Sequence, residues 1–183
     1  MKKYLKELLV VVLFILLLSG CGNITDTPSS KVENFMSKYQ KLDSEVLAQL
    51  DNVVSNNTEL SDDQKEDYRS LMERQYQDLS YKIKDENTLG DSSSVNVEVE
   101  VYDYRNALSK SEIYYEQNKD KFQKEDGTLD NSKYWDYKIS EMKTVEDRIK
   151  YEIIFTLHKE DGKWILEDIS DLDREKIHGL YVG

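Results

Sequence analysis

The sequence predicts an α+β protein, with N-terminal helices packed on an antiparallel sheet, from three patterns. Apolar residues recur at helical spacing between Val32 and Leu79. Val95, Val97, Val99 and Val101 alternate strictly with Asn96, Glu98, Glu100 and Tyr102, as in a strand with one buried and one wet face. A second alternating run, Ile149 to Leu157, is joined to Trp164 and Leu166 through Asp161-Gly162, a strong hairpin signal. Helices segregated from antiparallel strands make an α+β arrangement.

The helical part begins at Thr27-Pro28, with threonine as N-cap and proline at the first helical position. Val32, Phe35, Met36, Tyr39 and Leu42 form its apolar stripe, and Val46, Leu47, Leu50 and Val54 continue it beyond Asp43-Ser44. That dipeptide marks either a kink or a new N-cap. A loop follows over Ser55 to Glu59. Ser61 with Gln64 forms a capping box, opening a helix in which Tyr68, Leu71, Met72, Gln75 and Leu79 share a side. These stripes read as core.

Near Tyr81 the period changes. Tyr81 and Ile83 begin a short strand, and Leu89 to Ser93 turns around Gly90 into the valine strand. Asn106 to Phe122 returns to a helical pattern through Ala107, Leu108, Tyr114 and Tyr115. Glu125 to Asn131 reads as a loop around Gly127, and Ser132 to Thr144 as a further helix through Trp135, Ile139 and Met142. Together they form a helical insertion over about 105–145. The closing hairpin, with a two- or four-residue loop, pairs Lys159 with Trp164, Leu157 with Leu166 and Phe155 with Asp168. Ile154, His158, Ile165 and Ile169 fall on its opposite face. Residues 171–183 read as a tail with one helical turn from Asp173 to His178.

The chain has 183 residues, enough for one ordinary domain with a real core. Its 37 acidic against 25 basic residues give a net charge of −12, with no basic patch of the kind that binds nucleic acid. The same balance argues against lying flat on anionic lipid. Cys21 is the only cysteine, so the chain can form no internal disulfide and no thiolate metal cluster.

The leader has its own architecture. Lys2, Lys3 and Lys6 precede an unbroken apolar run from Leu8 to Leu18. That run is shorter than the roughly 20 residues that span a bilayer, and has the length of a signal-peptide core. Leu18-Ser19-Gly20-Cys21 resembles the bacterial lipobox. The resemblance implies that residues 1–20 are a lipoprotein signal peptide cleaved after Gly20. Cys21 then becomes the mature N-terminus, lipidated on its sulfur. Residues 21–27 are a tether and 28–183 a single α+β domain. A diacylglyceryl group supplies the two chains that stable anchoring requires. The expected location is the cell membrane, with the domain facing outside the cytoplasm. The alternatives are a plain transmembrane anchor or an ordinary secretory signal, with Cys21 incidental.

The element order adds a second resemblance. With the leading Thr27-Pro28-Ser29-Ser30-Lys31-Val32-Glu33-Asn34-Phe35 helix and the closing Lys159-Glu160-Asp161-Gly162-Lys163-Trp164 hairpin, it is similar to the nuclear transport factor 2-like, or cystatin-like, roll. Small Gram-positive lipoproteins of unknown function carry such domains after the lipid cysteine. The resemblance implies a curved sheet wrapped around the N-terminal helices and covers most of residues 28–170, departing from the minimal roll in the long insertion. Such a roll hosts enzymes, binding modules and dimerisation units alike.

Chemistry-bearing motifs are sparse. His158 and His178 lie far apart and read as surface residues, and neither Gly-x-Ser-x-Gly nor a glycine-rich phosphate loop occurs. Asp126-Gly127 before Asp130-Asn131 is the nearest approach to a calcium loop and reads as a solvated turn. Asp103 continues the valine row, Asp168 continues Trp164 and Leu166, and Tyr151 lies in the equivalent row of its strand. Either these three line the mouth of a concave pocket, where apolar neighbours raise a carboxylate's pKa, or the aspartates face water at strand ends. No catalytic residue, metal ligand or cofactor is assigned. The leading expectation is a non-enzymatic, lipid-anchored domain binding a protein, cell-wall component or small molecule. The alternatives are a small isomerase- or dehydratase-like enzyme using the carboxylates, and a dimerisation module using Ile154, Ile165 and Ile169. Those isoleucines could instead lie covered beneath the inserted helices.

Overall fold

The computed structural model describes residues 26–183. The leader, Gly20, Cys21 and the tether up to residue 25 lie outside the described residues. Helix α1 spans Pro28–Gln40. Thr27 and Ser30 close its capping box, with Ser30 N–H donating to Thr27 Oγ1 at 3.2 Å and Thr27 N–H to Ser30 Oγ at 3.1 Å. Leu42 takes a left-handed φ of 51°, and Asp43 Oδ1 accepts from Glu45 N–H at 3.0 Å. Asp43 is thus the N-cap of a separate helix, α2, Ser44–Asn56. Helix α3, Asp62–Asp78, starts on the Ser61–Gln64 capping box.

Strands β1 (Ser80–Leu89), β2 (Ser92–Tyr102), β3 (Arg148–Glu160) and β4 (Lys163–Leu166) form one open sheet in that order, antiparallel throughout. Between β2 and β3 run α4 (Tyr104–Gln117), a 3-10 turn (Lys119–Phe122) and α5 (Asn131–Lys143). The chain ends with α6, Asp171–His178. The fold is therefore mixed α+β with an antiparallel sheet.

Four details depart from the sequence pattern, each for a local reason. β1 is longer than Tyr81 and Ile83 indicate, because beyond an irregularity at Lys84 residues 85–89 are held by the backbone ladder to β2 and have only Leu89 as an apolar side chain. β4 stops at Leu166 after pairing with Leu157, so Phe155 and Asp168 do not pair; only a bond from Glu167 N–H to Thr156 O extends the hairpin. Ile154 and Ile165 are 63% and 39% exposed on the outer face, so the inserted helices do not cover them, while Ile169 turns into the core. The terminal segment is a two-turn helix with Ile177 fully buried, capped by Ser170 and stopped by Gly179 at φ 69°. The hairpin loop itself is two residues, Asp161 and Gly162, both at positive φ, which matches the strand twist.

The core lies between the sheet and the helices. Val95, Val97, Val99 and Val101 are fully buried and pair with Phe155, Ile153, Tyr151 and Ile149 of β3. Val32 and Met36 of α1 and Met72 of α3 belong to the same cluster.

One buried polar residue ties three elements together. Gln75 of α3 is completely buried. Its amide donates to Tyr102 O at 3.0 Å and to His178 O at 2.8 Å, while its carbonyl accepts from Tyr102 N–H at 2.8 Å. The β1–β2 register begins at Ser80 opposite Glu100, so Tyr102 would face residue 78, which is still helical. The Gln75 carboxamide takes the place of the missing strand residue, satisfying backbone groups that burial would otherwise leave unpaired.

Candidate functional site

The three residues singled out from sequence do not meet. Asp103 is the N-cap of α4, its Oδ1 accepting from Asn106 N–H at 3.0 Å and its own N–H donating to Asp147 O at 3.0 Å. Tyr151 is half-buried, with its ring edge-on to Tyr181 at 5.6 Å. Burial raises the pKa of its hydroxyl, and the nearby charge of Asp103 adds to the effect. Asp103 and Tyr151 share the wall of one open hollow of about 400 Å³. Asp168 is exposed and lines a different depression, against Phe35 and Glu45. The Thr156–Glu167 contact beside it lies five residues along β3 from Tyr151, roughly 16 Å at strand rise.

A better-formed cavity lies among the helices. It has a volume of about 310 Å³ and is walled by Tyr39 of α1, Val46, Leu50 and Val53 of α2, Tyr68, Met72 and Tyr76 of α3, and Arg174 and His178 of α6. Its size and its mostly apolar and aromatic lining, with a few polar groups, fit a small-molecule site. Gln49, Asn52 and Val53 are exposed at its rim, so it opens to solvent past α2.

The helix stripes explain why these residues converge. Tyr39 and Tyr76 are buried and meet edge-to-face at 5.0 Å. Tyr76 OH and His178 Nε2 are hydrogen-bonded at 3.0 Å, and the two rings lie 5.6 Å apart. The Arg174 guanidinium, one helical turn before His178, sits against the Tyr39 hydroxyl. Burial pushes the pKa values of Tyr39, Tyr68 and Tyr76 upward, so all three stay protonated. Tyr68 OH makes no hydrogen bond among the described residues and borders the cavity.

Burial, reinforced by the positive charge of Arg174, lowers the His178 pKa to about 4. The imidazole is therefore neutral at pH 7. Below the unfolded histidine value near 6.5 the unfolded chain takes up a proton that the folded chain refuses, so stability falls as pH drops from about 6.5 towards 4. A shift of that size corresponds to about 3 kcal/mol. Urea denaturation of the wild type and His178→Gln at pH 7 and pH 4.5 checks this: the wild type should lose more stability than the variant. Equal losses would remove His178 from the acid response.

The sequence left this cavity unseen because its walls read as core stripes and His178 as a tail residue. Ser170 followed by Asp173, with Gly179 directly after His178, was the available signal for a capped terminal helix. Among the described residues no group of three or more His, Cys, Asp or Glu side chains could hold a metal ion, and no helix is long and apolar enough to cross a membrane. The chain matches no protein-family profile, no curated protein and no solved structure.

Proposed function

We propose that this chain is an extracytoplasmic lipoprotein, held at the cell membrane through a lipidated Cys21, whose domain binds a small ligand without transforming it. The cavity among α1, α2, α3 and α6 carries the binding half of the reading. The leader carries the anchoring half: basic residues, a short apolar run, then Leu18-Ser19-Gly20-Cys21. We assign the domain to the cystatin-like rolls, on the support of an antiparallel sheet with helices packed against the inner-face valines.

Fractionation of cells expressing the full chain tests the anchoring. The wild type should sediment with membranes and take up labelled fatty acid, whereas Cys21→Ser should lose the label and its firm membrane hold. An unlabelled wild type that behaves like the variant would end the lipoprotein reading.

A further inference from the structure

Arg174 is unusual in this acidic chain. Among the described residues it has no ion-pair partner within 4.0 Å, whereas Arg69, Arg74 and Arg105 each pair with a carboxylate. Arg148, the other exception, covers the Tyr102 ring at 4.2 Å and donates to Asp78 O at 2.7 Å. Arg174 instead meets the Tyr39 hydroxyl on the cavity wall. Glu45, which lines the adjoining depression, is engaged by Lys38 at 2.6 Å.

Resting on the ligand-binding reading above, we infer that the cavity selects a small amphipathic monoanion, an aryl- or alkyl-carboxylate, with its apolar body among Leu50, Met72 and Tyr68 and its carboxylate on Arg174. A neutral apolar ligand would desolvate the guanidinium and leave it unpaired, at a cost that a carboxylate removes. A cation is disfavoured by the same charge, with no carboxylate in the lining to offset it. A dianion such as a phosphate monoester would find one guanidinium and no second cation in the lining. Volume sets the size. About 310 Å³ is roomier than the roughly 150 Å³ cavity that accepts a benzene, and suits a ring with a short acidic arm. The planar guanidinium pairs with a carboxylate through two parallel hydrogen bonds, and the Tyr68 hydroxyl offers a further donor at the wall.

Matched probes separate charge from shape. The full chain is titrated with 3-phenylpropanoate and with 3-phenylpropan-1-ol, each at millimolar concentration, by calorimetry and by thermal melting, alongside Arg174→Gln and Arg174→Lys. A ligand bound to the folded state raises the melting midpoint by mass action. The acid should bind about tenfold more tightly than the alcohol. Arg174→Gln should abolish that preference with the melting midpoint of the free protein little changed, and Arg174→Lys should retain part of it. Equal binding of acid and alcohol, unaffected by Arg174→Gln, would overturn the anion assignment and leave the ligand-binding reading standing. No binding of either probe to the wild type would overturn both.

Discussion

Gly179→Ala should lower the stability of the domain by about 4 kcal/mol, at the far end of what single substitutions do. Gly179 is buried directly after α6 and holds φ at 69°, a conformation that costs an L-residue about 1 kcal/mol. Strain is the smaller part. A Cβ at this position would overlap the Tyr102 carbonyl oxygen and the Gln75 amide nitrogen, both part of the buried clamp. Neither atom can withdraw freely, since Gln75 bonds Tyr102 and His178 together and the Gly179 carbonyl accepts from Arg105 N–H at 2.8 Å. Gly162 supplies the control. It too has positive φ, at 76°, but a Cβ there meets nothing within 4 Å. Gly162→Ala should therefore cost only about 1 kcal/mol. Thermal melts of the two variants should differ by roughly 10 °C. Equal midpoints would show that the C-terminal segment does not pack against Gln75 and Tyr102 as described.

Gln75→Leu should cost a similar amount, about 4 kcal/mol, by a different route. The leucine stops one atom short of the glutamine's amide and removes three hydrogen bonds at once, stranding the Tyr102 N–H, the Tyr102 carbonyl and the His178 carbonyl. Each buried polar group left unpaired costs about 1–3 kcal/mol, and part of the loss returns as buried apolar surface. Gln75→Glu should be no better, because a carboxylate turned towards two carbonyl oxygens cannot donate to either. Equilibrium urea unfolding reads both losses. Hydrogen exchange adds a local signature, since the Tyr102 amide should lose protection before the middle of β2 does. If Gln75→Leu retained wild-type stability and Tyr102 protection, the amide would not be completing the sheet.

Much of the fold was legible because its signals are periodic. The valine row of β2 and the Asp161-Gly162 turn specify register, since a slip of one residue would turn every valine to solvent. Thr27, Asp43 and Ser61 cap helices through side chains whose geometry depends on nearby residues alone. The cavity was not legible, because Tyr39, Leu50 and Met72 show the same spacing whether their helices close completely or leave a gap. Asp103 admits two readings in the sequence, a pocket wall or a strand end. The chain turns into α4 at that residue, which caps the helix with its side chain and also borders the hollow it shares with Tyr151. In sequence His178 reads as a surface residue because nothing local shows that α6 folds back on Tyr76; that contact spans 102 residues, beside the bond from the Gln75 amide to the His178 carbonyl.

The intact mass of the chain extracted from membranes is the most direct test of the lipid anchor proposed at Cys21. The expected result is a polypeptide that begins at Cys21 and carries the added mass of a diacylglyceryl group on that residue. A chain that still begins at Met1, or one with Cys21 as a free thiol, would contradict it.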